Sequence, residues 1–303
     1  MRERSLRPVD VARWLAAVVF LAVILWRVDV RAVGARLAHL DARFVAAFIA
    51  LSVPLYLLYA WRWRFTAARL GVTLPFRHAY FDYYLSTLLN QVLPVGIAGD
   101  VVRAARHRAR LGSTSWGAPA RAVILERASG FVALVLAVAA SAVVWRMRGQ
   151  GGFATLPLLV VVLLVLVATV VLARARGATR LGVFAKDARA ALVDRGALGA
   201  QLGVSLAALA LLILMFACAG RAAGVALDAA AVVQVVPLIF AVTTIPWAFA
   251  GWGAREISAA ALFGLVGIEP AAAVTVSVTF GILSLVAAAP GLLVWCFPSR
   301  ATA

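Results

Sequence analysis

Long uncharged stretches separated by short arginine-rich connections run through the chain, which spans 303 residues. Uncharged runs lie at Phe44 to Trp61, Ala128 to Trp145, Gly149 to Ala173, Gly196 to Gly220, Ala229 to Ala254 and Pro270 to Pro298. A helix crossing a bilayer needs about 20 predominantly apolar residues, so each run is a candidate span. A shorter stretch, Trp14 to Trp26, has Arg13 and Arg27 at its ends, whose side chains can snorkel and extend it. Arg2, Arg4 and Arg7 precede it as in a signal peptide, but Trp26-Arg27 stands where small residues at a cleavage site belong, which favours an uncleaved anchor. No connection is long enough for a soluble domain; the longest polar one runs from Arg174 to Arg195. The pattern predicts an all-α polytopic membrane protein, residues 1–303 forming a single integral membrane domain of about six spanning helices.

Composition sharpens this picture. Hydrophobic residues make up 65% of the chain and charged residues 14%, below the roughly 25% of soluble domains. The net charge of +17, from 29 Lys and Arg against 12 Asp and Glu, would point to nucleic acid in a soluble protein. In a membrane protein the excess of cations in cytoplasmic loops accounts for it, and no nucleic-acid partner is implied. Arg62, Arg64, Arg69 and Arg77 form one basic connection, Arg103, Arg106, Arg108, Arg110 and Arg121 a second, and Arg174 to Arg195 a third. These three are expected on the cytoplasmic side of the cell membrane, together with both termini. The connections Arg27 to Arg43 and Arg221 to Asp228 are expected outside. Trp61, Trp63, Tyr80, Tyr83 and Tyr84 suit an aromatic interface belt, and Arg103 to Arg110 a solvated patch facing lipid headgroups.

The segment Phe76 to Gly99 has cytoplasmic flanks on both sides, so a single crossing would contradict the charge count. A re-entrant hairpin removes the conflict, its turn at Leu93-Pro94-Val95-Gly96-Ile97-Ala98-Gly99, where proline breaks the helix and glycine allows backbone shapes closed to other residues. Such backbone survives at membrane depth only against protein or a watery cavity. A second interruption, Ile245 to Arg255, aligns without gaps at Pro94/Pro246, Ala98/Ala250, Gly99/Gly251 and Arg103/Arg255. Three spans between the hairpins would put them on opposite sides. That is the pattern of inverted-repeat transporters, with half-repeats at about 43–150 and 196–298.

Charged residues cluster at these breaks: Asp100 and Arg103, Glu126 and Arg127, Arg255 and Glu256. Charges kept within a bilayer usually pair or line a path. A half-helix starting at Gly99 or Gly253 would aim free amides and its positive dipole end at an anion, with Arg103 and Arg255 as bidentate donors to the same headgroup. Asp100 and Glu256 would then have to pair or titrate. His39, His78 and His107 are isolated, Cys218 and Cys296 are far apart, and no nucleotide loop, zinc motif or nucleophile elbow occurs. No cofactor, metal or catalytic residue is expected, and ATP-driven transport by this chain alone is disfavoured.

At these motifs the sequence resembles the family named for the transmembrane region of lysylphosphatidylglycerol synthetases, flippase-like membrane proteins. The first family pattern is met by Asn90, Pro94, Gly99, Asp100 and Arg103, the glutamate-arginine pair by Glu126-Arg127, and the second pattern by Ile245, Pro246, Gly251, Gly253, Arg255 and Glu256. Ala250 replaces a glycine of the second pattern, and Trp247-Ala248 stand where a serine often follows the proline. The resemblance implies a lipid-translocating role, with membrane lipids of anionic headgroup, a phospholipid or a polyprenyl-phosphate-linked glycolipid, as partners. The substrate-binding set would be Asn90, Pro94, Gly96, Gly99, Asp100, Arg103, Glu126, Arg127, Pro246, Gly251, Gly253, Arg255 and Glu256. No aminoacyl-transferase domain follows the membrane region, so synthesis of an aminoacyl lipid is not expected. Two alternatives stand beside it: an integral membrane glycosyltransferase using a lipid-linked sugar, with Asp29 or Asp41 as acid or base, and a non-catalytic partner of a lipid-biosynthesis enzyme.

Overall fold

The computed structural model describes residues 39–93, 96–112, 115–147, 179–194, 196–244 and 254–296. The first candidate span, the run at 149–173, Asp29, and the site residues Pro94, Pro246, Gly251 and Gly253 lie outside these residues.

Four described helices are long and apolar enough to cross a membrane: α1 (Ala42–Arg69), α4 (Gly117–Met147), α6 (Ala197–Ala222) and α9 (Pro270–Ala288). At 28 and 31 residues, α1 and α4 exceed the thickness of a hydrocarbon core of about 30 Å. Shorter helices complete the bundle: α2 (Phe76–Val92), α3 (Ala98–Arg110), α5 (Arg180–Ala188) with a π turn at Arg189–Val193, α7 (Ala229–Thr243), α8 (Ala254–Gly264) and α10 (Gly291–Cys296). The expected run Pro270 to Pro298 is therefore two helices. After α9 the chain turns at 289–290, and α10 lies against α2 so closely that a Cβ at Gly291 would sit 2.8 Å from the Leu85 amide nitrogen.

Local chemistry explains the ends. The Asp41 carboxylate accepts the Arg43 amide at 2.9 Å and caps α1, and the Asp228 carboxylate caps α7 through the amides of Ala230 and Ala231. Helix α2 stops at Leu93, which is extended (φ −78, ψ 140) because Pro94 disfavours helical backbone before it. Gly96 then turns with φ 61, a conformation that suits glycine.

Helices α2 and α3 form an antiparallel hairpin. Asn90 near the end of α2 meets Gly99 at the start of α3, while Asp82 near the start of α2 holds Arg106 and Arg110 near the end of α3. His107 reaches back to the Thr73 carbonyl at 3.0 Å, so the chain leaves the hairpin beside where it entered. A Cβ at Gly99 would overlap the Ser86 carbonyl oxygen, which is why the two backbones approach so closely only at a glycine.

The connections segregate to two ends. At one end Arg121 pairs with Asp187 at 2.5 Å, Gln201 bonds Thr66 at 2.9 Å and the Ala191 carbonyl at 3.3 Å, and His107 meets Thr73. The three basic connections of the sequence thus gather together. At the other end the Asp41 amide donates to the Ala222 carbonyl at 3.0 Å, joining the two connections expected on the opposite side.

The order of elements repeats: a long helix, two short ones, a long helix occurs as α1, α2, α3, α4 and again as α6, α7, α8, α9. The main apolar core joins α1, α4, α6, α7, α8 and α9, with Phe48, Phe216, Phe263 and Phe280 at its centre. Large apolar residues stay exposed on the long helices, among them Val132, Leu136 and Val143 on α4 and Leu206 and Leu214 on α6, as a lipid-facing surface requires.

Candidate functional site

A cavity of about 670 Å³ lies among α1, α2, α4, α6, α7, α8 and α9, reaching the α2–α3 turn at Gly96 and Ile97. Its walls are largely apolar, with Tyr56, Tyr59, Leu209, Met215, Phe240 and Phe280 among them. Three arginines, Arg62, Arg127 and Arg255, line it, with Thr87, Asn90, Gln91, Ser205 and Ser284 as further polar groups. The Gln91 amide donates to the Ser284 carbonyl at 3.3 Å and ties α2 to α9 across it.

Behind one wall stands a buried ion network. Oε1 of Glu126 accepts from Arg62 Nε at 2.8 Å, Arg62 Nη2 at 2.5 Å and the Tyr83 hydroxyl at 3.1 Å; Oε2 accepts from Arg103 Nη2 at 2.6 Å. Arg62 Nη1 donates to Ser205 at 3.1 Å. Arg103 also holds Asp100 at 2.9 Å and lies against the faces of Tyr83 and Trp63, 4.5 and 4.8 Å from their ring centres. Asp100 accepts in addition from Asn90 Nδ2 at 3.2 Å, Ser86 Oγ at 3.4 Å and Arg127 Nη2 at 2.6 Å. Arg62, Arg103 and Glu126 sit where water scarcely reaches, and each carboxylate is surrounded by donors, the condition under which buried charge is tolerable. The Gly99 amide donates to Asn90 Oδ1 at 2.8 Å, so the start of α3 is capped from within and does not offer that amide to an anion.

The second charged group is separate. Arg255 on α8 bonds Glu256 at 2.9 Å and Ser277 at 3.1 Å, with its guanidinium 5.5 Å from the Phe280 ring centre. Phe280 packs on Phe48 of α1 at 5.6 Å. The cavity is thus lined by two arginine groups, Arg62 with Arg127 and Arg255 in its own.

Residues 11–291 match the family model described as the lysylphosphatidylglycerol synthase TM region. The chain belongs to that family. Neither a search of curated proteins nor one of solved structures found a significant match. Membership of a membrane-domain family agrees with the four long apolar helices, and it associates the chain with a lipid-related role in a membrane.

The structure sorts the motif residues of this synthase-region family. Asn90, Gly96, Arg127 and Arg255 line the cavity; Asp100, Arg103 and Glu126 form the network behind it; Gly99 is a packing contact; and Glu256 pairs with Arg255 while bordering a shallow apolar depression with Pro270 and Val274. Arg103, expected to share a headgroup with Arg255, is fully buried and does not line the cavity. Arg127 stands there instead, with 50% of its side chain exposed.

Other expectations need correction. Arg62 belongs to no loop: it is inside α1 and 5% exposed. Its signal was a polar stripe at Tyr59, Arg62, Thr66 and Arg69, spaced as one face of a helix that continues past Trp61. Trp63, Tyr83 and Tyr84 are core residues instead of a belt, with Tyr56 stacked on Tyr84 at 3.8 Å and Tyr59 on Tyr83 at 4.9 Å. The segment from Arg103 to Arg110 is mostly paired inward, since Arg106 and Arg110 hold the buried Asp82 and His107 is itself buried. Asp41 caps α1. Among the described residues no group of His, Cys, Asp and Glu is arranged to hold a metal.

Proposed function

We propose that the chain is a flippase-like transporter that moves an anionic lipid between the leaflets of the cell membrane. The headgroup passes through the central cavity while the tails stay in the bilayer. The observation that carries this reading is the set of three arginines, Arg62 and Arg127 joined through one ion network and Arg255 in a separate group, which line one cavity within a bundle of apolar outer surface. An anion crossing a hydrocarbon core of about 30 Å needs partners along its way, and guanidinium groups suit phosphate.

The α2–α3 hairpin is read as re-entrant from the basic end, and the repeated order of elements as an inverted duplication, which places a substrate path between the two halves. The basic end and both termini are assigned to the cytoplasm by the charge bias of the connections. Phospholipids and polyprenyl-phosphate-linked glycolipids both fit an arginine-lined path, and an enzyme of lipid biosynthesis is a natural partner.

Reconstitution into vesicles carrying a fluorescent anionic lipid, with quenching of the outer leaflet, tests the reading. Protein-dependent movement of chemically unchanged lipid is expected. Conversion of the lipid would establish an enzyme instead, and vesicles that neither move nor convert any anionic lipid would leave a partner role.

A further inference from the structure

Within the network around Glu126 and Asp100, one ion pair differs from the rest. Arg62 and Arg103 are held by Glu126 and their side chains are 6% and 0% exposed, whereas Arg127 meets Asp100 from the cavity with 50% of its side chain exposed. Asp100 does not depend on Arg127. If Arg127 swings away, the carboxylate keeps Arg103 Nε at 2.9 Å, Asn90 Nδ2 at 3.2 Å and Ser86 Oγ at 3.4 Å. The bond between them is therefore one that can break without stranding a buried acid, which is the usual reason such bonds do not break.

Charge adds a second constraint. Arg62, Arg103 and Arg127 against Asp100 and Glu126 leave this network one positive charge in excess, and both acids already have partners. A ligand carrying a single negative charge brings the ensemble to neutrality. A dianion overshoots, and a zwitterion leaves the excess in place.

We infer that Arg127 is an exchangeable guanidinium, which leaves Asp100 to take the phosphate of a monoanionic phosphodiester headgroup and returns to Asp100 when that headgroup moves on. Asp100 acts as the resident competitor that keeps the headgroup from being held too tightly. This rests on the flippase reading and names the substrate class and the residue that first captures it.

The test uses the purified full chain in detergent, titrated with three diacyl lipids: a phosphodiester with an uncharged glycerol headgroup, a phosphomonoester and a choline zwitterion. The phosphodiester is expected to bind most tightly. Arg127→Gln is expected to weaken that binding about tenfold or more, the loss of one charge-assisted bidentate contact. Asp100→Asn is expected to tighten it and to slow transport in vesicles, since the competitor is gone. Arg108→Gln is the control, because Arg108 stacks on Trp116 at 4.2 Å and does not line the cavity. Equal binding of the three lipids by the parent, parental affinity in Arg127→Gln, or unchanged or weaker binding in Asp100→Asn overturns the exchange while leaving transport itself standing. A parent that moves no anionic lipid at all overturns the flippase reading instead.

Discussion

The Arg103 guanidinium and the Glu126 carboxylate meet at 2.6 Å with neither side chain exposed. Through that contact α3 is fixed to α4, and because Glu126 also holds Arg62 and Tyr83, one carboxylate joins four helices. Removing it leaves the buried Arg62 guanidinium without its acid and Arg103 with Asp100 alone. Glu126→Gln is therefore expected to cost about 3–5 kcal/mol of stability, the usual price of breaking a buried pair from one side. Thermal unfolding in detergent, followed by size-exclusion chromatography, measures it; a parental melting temperature would show that the network does not stabilise the fold.

Gly99→Ala tests the hairpin. Its Cβ would overlap the Ser86 carbonyl, which belongs to the backbone of α2 and cannot rotate aside. Monodisperse protein is expected to be lost or greatly reduced. Gly203→Ala, where a Cβ meets nothing within 4 Å, is expected to be tolerated and to stabilise α6 by up to about 1 kcal/mol. Comparable yield and melting temperature for the two variants would contradict the close packing of α2 on α3.

Gly130→Ala addresses the cavity wall. A Cβ there would lie 2.9 Å from Arg62 Nη1, so the arginine must shift by a few tenths of an ångström. The expected outcome is a folded protein with slower lipid movement, read in the vesicle assay against the parent. A rate equal to the parent's would mean that the placing of Arg62 does not matter for transport.

Two arginine groups imply two separable defects. Arg255→Gln is expected to leave capture of the headgroup at Arg127 intact while transport falls, so binding and movement should part company in this variant. If its binding weakens as much as that of Arg127→Gln, both arginines serve one headgroup position and the division into two groups is wrong.

Single cysteines at 110, 185 and 224, in a background lacking Cys218 and Cys296, address the orientation. Positions 110 and 185 are expected to label from the cytoplasmic side and 224 from the outside. The gathering of the basic connections at one end already requires the first two to behave alike; labelling of 110 and 185 from opposite sides would contradict the fold itself.

The apolar runs determined where four long helices lie, because any bilayer-length stretch without charge is stable in lipid only as a helix whose amides bond internally, but not their ends: α1 continues past Trp61 to Arg69, α4 starts at Gly117 and not Ala128, and α9 stops at Ala288. Pro94 determined where α2 stops, since its ring acts on the residue just before it, and the bias of Arg between connections determined which ends belong together. None of this needs a distant partner. What each arginine does was decided only by the tertiary structure. Arg62 looked like part of a basic connection until Glu126, far along the chain, reached it; of Arg103 and Arg127, both expected at the substrate, only Arg127 lines the cavity, because α4 presents Glu126 to the buried side and Arg127 to the cavity. A guanidinium is buried or available according to whether a carboxylate from another helix meets it. Successive residues on a helix point about 100° apart, so neighbours as close as Glu126 and Arg127 face different surroundings.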